Sequence, residues 1–448
     1  MIEQYISRSI DCACGKRHRS NVDIIEIKPN VIEREMIAFL QNRACKKLTV
    51  VCDKNTYRVA GERVCRTLKN AEISYHLHLF SDEQVLPNEH FIGNLSMGMW
   101  LDSDMLLAVG SGTINDICRY VSAVAKMPYC IVGTAPSMDG YISGGSALIY
   151  NNLKLTFETH TPDAVFLDPQ ILANAPKDMI AAGVGDLLGK INCLTDWRLS
   201  QIVNGEWHCD FISDIVDTAI GKVVKNSDKI ARCEDEAIAE LVEGLLLSGV
   251  CMDFAGNSRP ASGCEHHMSH FWEMRYLLEG REAVFHGTKV GIGTIIALKA
   301  YEYVATLTPD FNRIEKLSRK SFAEWEIEIE QAFLGASEEI VSLEQKGEKN
   351  GAERLAARLD ATEKNWNEIK YLAAKTVKSD IVYNILKQLE APTTPREIGV
   401  EKEMARQAIL YAKEIRDRYT VLQLLWDLGE LEHFADMIIE AYYPENKA

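Results

Sequence analysis

Met105-Leu106-Leu107-Ala108-Val109-Gly110-Ser111-Gly112-Thr113-Ile114-Asn115-Asp116 joins an unbroken apolar run to a glycine-rich turn and then to a helical pattern. The run is short and does not alternate with polar residues, as expected of a strand covered on both faces. The turn reads Gly110-x-Gly112-x-x-x-Asp116, which is not Gly-x-Gly-x-x-Gly, so that fingerprint is not claimed. A turn between strand and helix still brings backbone N–H groups and the favourable helix end against a phosphate. A plain tight turn is the alternative.

The same grammar repeats outward. Leu48-Thr49-Val50-Val51-Cys52 ends at Asp53, a helical pattern covers 56–68, and 73–80 reads as a second strand. Tyr129-Cys130-Ile131-Val132 leads into Thr134-Ala135-Pro136-Ser137, and Ala164-Val165-Phe166-Leu167 is one more apolar run. Such runs separated by helices predict a parallel sheet that binds ligands at the carboxyl ends of its strands, where Asp53, the Gly110 turn and the Thr134 loop fall. Beyond about 178 strand signals fade, and helical patterns run over 212–225, 236–250 and 284–307. The expected architecture is an α/β domain over 1–175 and an all-α domain over 176–448. Residues 310–400, with Glu344-Gln345-Lys346-Gly347-Glu348-Lys349, read as exposed helices joined by polar loops.

The chain has 448 residues, enough for two substantial cores, and a formal net charge of −16. That charge argues against a nucleic-acid partner, whose phosphates require clustered Lys and Arg. The twelve cysteines are scattered, and those in apolar runs (Cys52, Cys130, Cys193) read as reduced, buried thiols. The first residues carry no signal-peptide pattern, and no stretch approaches the roughly 20 apolar residues of a membrane span. A cytoplasmic protein is expected.

Three distant stretches hold metal-ligand chemistry. In Gly183-Val184-Gly185-Asp186-Leu187-Leu188-Gly189-Lys190, Asp186 is a metal ligand or a carboxylate favoured by a helix dipole. Ser258-Arg259-Pro260-Ala261-Ser262-Gly263-Cys264-Glu265-His266-His267-Met268-Ser269-His270 puts His266 and His270 four apart on one helix face. It lacks the Glu directly after the first His that a zinc protease uses as base. His286 opens His286-Gly287-Thr288-Lys289. One carboxylate and two imidazoles suit an open divalent-metal site, and the coincidence of all three stretches carries that reading. Asp53 is a ribose acceptor or a helix N-cap. The loop from Thr134 to Ser146 has small residues and hydroxyls that allow close approach of a ligand, and Asp139 within it is a candidate for a substrate hydroxyl; a surface loop is the alternative. In Cys12-Ala13-Cys14-Gly15-Lys16-Arg17-His18, Cys and His lie close enough in sequence to bind zinc, but with no second pair at zinc-finger spacing the stretch reads rather as a small loop or hairpin.

These motifs resemble the sn-glycerol-1-phosphate dehydrogenases, within the superfamily of iron-type alcohol dehydrogenases, glycerol dehydrogenases and dehydroquinate synthases. The resemblance spans roughly residues 10–300; 258–266 is its most specific part, and the Cys12-x-Cys14-Gly15-x-x-His18 start is similar to the bacterial branch. It implies a dehydroquinate synthase-like fold, with a Rossmann-like dinucleotide-binding domain over 1–175 and a helical metal- and substrate-binding domain over 176–448. Asp186, His266 and His286 would ligate one divalent metal, zinc or nickel. Asp53, Gly112, Thr113, Ile114, Asn115, Asp116, Thr134, Ala135, Pro136, Ser137 and Ser143 would contact NAD or NADP, and Asp139, Asp186 and His270 would face the substrate. Arg259 or Lys289 is the candidate donor to a substrate phosphate. The implied reaction is reversible reduction of dihydroxyacetone phosphate to sn-glycerol 1-phosphate, a backbone for ether lipids and glycerophospholipids, in a homodimer. Glycerol dehydrogenase is the rival reading, and a dehydroquinate synthase-like lyase or a non-catalytic dinucleotide sensor are more distant ones. The turn departs from the superfamily in carrying Gly110-Ser111-Gly112 where many members have three glycines.

Overall fold

The computed structural model describes residues 2–151 and 153–444. Its ten strands are β1 (Ser9–Asp11), β2 (Arg17–Arg19), β3 (Ile24–Ile27), β4 (Lys47–Asp53), β5 (Ser74–Phe80), β6 (Met105–Gly110), β7 (Tyr129–Gly133), β8 (Gly145–Tyr150), β9 (Leu153–Glu158) and β10 (Ala164–Leu167). Beyond β10 the described chain is helical wherever it is regular. This is the expected class, an α/β parallel-sheet region followed by an all-α region.

The chain divides into two compact units. One comprises residues up to Leu187 together with Asp214–Asn257; the other comprises Leu188–Ser213 with the chain from Ser258 onward. Strand content thus ends near the expected boundary at 175, while compactness divides the chain differently. Helices Ser227–Ala231 and Asp235–Ala255 belong with the sheet, because Asp235–Ala255 packs on Pro169–Ala173 and on the 140–142 turn.

In the first unit six parallel strands run in the order β3-β10-β7-β6-β4-β5. Every residue of β6, β7 and β10 is buried, which is why these strands read as unbroken apolar runs. The chain steps from β4 outward to β5, then crosses back to place β6 on the other side of β4. That reversal makes a crevice between the carboxyl ends of β4 and β6, at Asp53 and the Gly110 turn. The hairpins β1–β2 and β8–β9 form separate two-stranded sheets.

Helix Lys177–Asn204 starts under this crevice's loops. A Cβ at Gly183 would lie 1.7 Å from the Pro136 carbonyl oxygen, so only glycine permits that approach. In the second unit, a Cβ at Gly293 would lie 2.6 Å from the Glu265 carbonyl oxygen, and helix His286–Thr306 thereby rests on the backbone of helix Cys264–Leu278.

The reading of 310–400 as solvated fails at two cations. Lys349 is buried and donates to the Lys413 and Arg416 carbonyls, and burial pushes its ammonium down to about 8. Arg358 is buried in a two-bonded ion pair with Asp427, at 2.7 Å for each bond. Backbone carbonyls and one buried acid, distant in sequence, supply the partners that make this burial tolerable.

Gly183→Ala forces either the 134–137 loop or the helix to move. Overpacking against a backbone atom should cost about 3 kcal/mol, read as a lowered midpoint in chemical denaturation. An unchanged midpoint would mean that the contact is not a constraint.

Candidate active site and metal centre

The crevice end of the first unit is built from three strand ends. Helix Gly112–Ala125 follows β6 directly, and its N-cap Ser111 makes no side-chain capping bond. The first-turn N–H groups of Gly112, Thr113 and Ile114 therefore present the donor set that favours an anion. The Thr134 N–H donates to the Gly110 carbonyl at 3.1 Å, locking the loop after β7 to the turn after β6. Thr134, Ala135 and Ser137 are buried, and the Tyr141 hydroxyl donates to the Ala135 carbonyl at 2.7 Å.

Asn115 and Asp116, expected near a cofactor, have their side chains committed within the unit. Asn115 Nδ2 donates to the carbonyls of Gly140 (3.1 Å) and Tyr141 (3.3 Å). Asp116 pairs with Arg119 at 2.7 Å. Arg119, which sequence reasoning missed, is fully buried; it also donates to the Tyr129 hydroxyl at 2.9 Å and to the carbonyls of Gly140, Tyr141 and Gly145. The (i, i+3) spacing of Asp116 and Arg119 was the available signal. These bonds hold the 139–145 segment in place. Ser143, at its end, caps that turn through the Gly145 N–H (3.1 Å).

Asp139 and Asp186 meet in this unit. The Asp139 N–H donates to Asp186 Oδ2 at 2.9 Å, and Ser248 Oγ donates to Asp139 Oδ2 at 2.9 Å. Asp186 is fully buried. Asp53 is the N-cap of the short helix Lys54–Thr56, with Oδ1 accepting from the Thr56 N–H at 2.8 Å. It also lines a cleft of about 290 Å³ with Lys54, Asn55, Arg58, Asp82, Glu83 and Val85.

In the second unit, helix Cys264–Leu278 carries His266 and His270, and His286 opens helix His286–Thr306. Their rings cluster: His266 and His286 at 5.1 Å between centroids, His270 and His286 at 5.7 Å, His266 and His270 at 6.2 Å. The His266 Nδ1–H donates to Glu265 Oε1 at 2.6 Å, because an ionised carboxylate only accepts; the lone pair then lies on Nε2. Glu265 is itself seated by the Gly263 N–H (2.7 Å) and by Asn192. Burial pushes its carboxyl up, but the bond from His266 and these backbone and amide donors together hold it below the usual range. A buried carboxylate behind an imidazole is the arrangement that orients metal-ligating histidines. Glu273, not singled out in the sequence, offers an oxygen within 4.8 Å of nitrogens on His270 and His286; its signal was (i, i+3) spacing from His270. His267 is buried and held neutral by burial, and neither ring nitrogen has a hydrogen-bond partner among the described residues.

The two expected phosphate donors are each already ion-paired. Arg259 is buried and bonded to both Glu206 oxygens (3.1 and 2.9 Å) and to the Tyr419 carbonyl, so its charge is already matched. Lys289 is buried 3.2 Å from Glu273. The expected reduced thiols at Cys52, Cys130 and Cys193 are buried, and no disulfide forms among the described residues. No helix among those residues is long and apolar enough to cross a membrane.

Part of this chain is similar to the iron-containing alcohol dehydrogenases. The model of that family matches residues 26–176. A crystal structure of 1,3-propanediol oxidoreductase superposes with a TM-score of 0.62 at 16% identity, covering 94% of this chain and 98% of that one; at this identity the likeness is one of fold. Glycerol-1-phosphate dehydrogenase (NAD(P)+) of Bacillus licheniformis is 31% identical over 95% of both chains. Its counterpart from Geobacillus stearothermophilus is 30% identical over 95% of this chain and 98% of that one. The chain belongs to the glycerol-1-phosphate dehydrogenase family.

Arg119→Leu should destabilise the protein by about 3–5 kcal/mol, since it strands Asp116 and releases three loop carbonyls. Thermal unfolding measures this, and a loss below about 1 kcal/mol would show that the loop holds without the cation.

Proposed function

We propose that this chain is a metal-dependent, NAD(P)-dependent dehydrogenase that reversibly reduces dihydroxyacetone phosphate to sn-glycerol 1-phosphate, a backbone for glycerophospholipids and ether lipids. The observation that carries the metal assignment is the Glu265–His266 pair, which fixes the His266 tautomer with Nε2 as the ligating atom. The donor set is Asp186, His266 and His286, whose chemistry fits zinc or nickel. The Asp139 N–H orients the Asp186 carboxylate.

The first-turn N–H groups of Gly112, Thr113 and Ile114 hold the cofactor pyrophosphate, and the backbone at Asn115 and Asp116 completes that turn. Thr134, Ala135, Pro136, Ser137 and Ser143 line the nicotinamide end, and Asp53 with its cleft takes the adenosine ribose. When bound, the metal polarises the substrate carbonyl and the nicotinamide supplies hydride. Asp139 orients a substrate hydroxyl, and His270 hydrogen-bonds the substrate and moves the proton at its oxygen, a task suited to imidazole near neutral pH. Residues 1–175 serve the dinucleotide and 176–448 the metal and substrate. The protein acts as a cytoplasmic homodimer without nucleic-acid or membrane partners, in keeping with its net charge of −16.

The commitment of Arg259 and Lys289 to acidic partners favours a second reading, a glycerol dehydrogenase acting on an unphosphorylated polyol. NADH oxidation after metal stripping and zinc or nickel reloading, with dihydroxyacetone phosphate against dihydroxyacetone, separates the two. Turnover of the phosphate, with chiral analysis giving sn-glycerol 1-phosphate, is expected. Preference for dihydroxyacetone overturns the phosphate assignment.

Glu265→Gln should lower metal affinity about 10- to 100-fold, read by titration of the stripped protein; unchanged affinity would remove Glu265 from the centre. In the Asp53 cleft, Arg58→Ala should raise KM for NADPH roughly tenfold and leave that for NADH nearly unchanged. An unchanged KM for both cofactors would detach the cleft from the adenosine end.

A further inference from the structure

The β1–β2 hairpin is short of apolar material. From Ser9 to Arg19 the chain reads Ser-Ile-Asp-Cys-Ala-Cys-Gly-Lys-Arg-His-Arg, and its one large apolar side chain, Ile10, is only half-buried. An isolated two-stranded hairpin is marginal in water. Yet the turn is well defined: the Cys12 N–H donates to the Lys16 carbonyl at 3.2 Å, the Gly15 N–H donates to the Cys12 carbonyl at 3.1 Å, and Gly15 has φ +86°.

The turn gathers Cys12, Cys14 and His18, each with a ligand atom within 4.8 Å of the others'. His18 is fully buried and stacks on Phe254 at 5.4 Å. Its Nδ1 lies 3.0 Å from the Phe254 carbonyl oxygen, which can only accept, so Nδ1 carries the proton and Nε2 the lone pair. Nε2 lies 3.3 Å from Cys14 Sγ. A tetrahedral zinc with sulfur at about 2.3 Å and nitrogen at about 2.0 Å spaces those ligands by about 3.5 Å.

We propose that Cys12, Cys14 and His18 are three of the four donors of a structural zinc site, with the Phe254 carbonyl as the outer partner that fixes the imidazole. The cation would replace the missing apolar core of the hairpin, as metals do in other small elements. The spacing departs from zinc fingers because one turn supplies both thiolates and, four residues on, the imidazole. This site is separate from the Asp186, His266 and His286 donors, and it stands whether or not the substrate assignment holds.

Cobalt distinguishes the two, because a set of one carboxylate and two imidazoles gives no thiolate-to-metal charge transfer. Full-length protein produced with cobalt should show that near-ultraviolet band. The band should persist in the double variant His266→Ala/His286→Ala and disappear, with loss of one metal equivalent, in Cys14→Ser. If Cys14→Ser does not fold, Cys14→His should keep the metal and weaken the band. Zinc should also protect Cys12 and Cys14 of the wild type from alkylation, and a chelator should expose them; any further thiol protected with them supplies the fourth position. Absence of the band in the wild type, an undiminished band in Cys14→Ser or Cys14→His, or equal alkylation with and without zinc overturns the proposal.

Discussion

With no side chain at Gly183, helix Lys177–Asn204 lies against the Pro136 carbonyl, and three residues later Asp186 receives the Asp139 N–H at 2.9 Å. Much of the first unit's site depends on this contact. The strand-end loop keeps its course because a helix backbone supports it at Gly183. A carboxylate buried this deeply needs donors, and the loop supplies one from its main chain, so the helix and loop fix each other. A side chain at position 183 would part them, whatever its polarity.

The same loop is held from its other end by Arg119. Its guanidinium is spread over three carbonyls, a phenol and one carboxylate. Carbonyls in an irregular buried segment have no ladder to join, and one planar cation with five N–H groups answers several of them at once. Two kinds of constraint, a glycine contact and a buried cation, thus do for an irregular loop what hydrogen-bond ladders do for strands.

Much of this was legible in the sequence, and the reasons differ by element. The strands at 48–52, 105–110, 129–133 and 164–167 announced themselves because burial on both faces leaves them almost entirely apolar. The hairpin β8–β9 was not read, since its burial is mixed and its sequence lies beside a glycine- and serine-rich loop. Asp186, His266 and His286 could be picked out by residue type. Arg119, Glu265 and Glu273 could not, because what they do depends on which carbonyl or ring faces them. The partners of Arg259 and Lys289 were hidden for the same reason: a cation beside a motif looks available until Glu206 and Glu273 are found against it.

Glu265 shows how far the hydrogen-bond network reaches beyond the histidine cluster. It shares Asn192 Nδ2 with a second buried carboxylate, Asp196, whose own oxygens accept from Tyr301 Oη (2.6 Å), Val421 N–H (2.8 Å) and Cys264 N–H (2.9 Å). Burial and the neighbouring Glu265 push Asp196 up to about 6, while Glu265 stays below its usual range. Protonating Asp196 relieves like-charge repulsion but costs one of its accepted bonds. Protonating Glu265 would cost either the Asn192 bond at Oε2 or the His266 and Gly263 bonds at Oε1. The network therefore assigns any proton to Asp196 first. Glu265 remains an acceptor for the His266 Nδ1–H, and the groups around that carboxylate decide the form in which the His266 imidazole is presented.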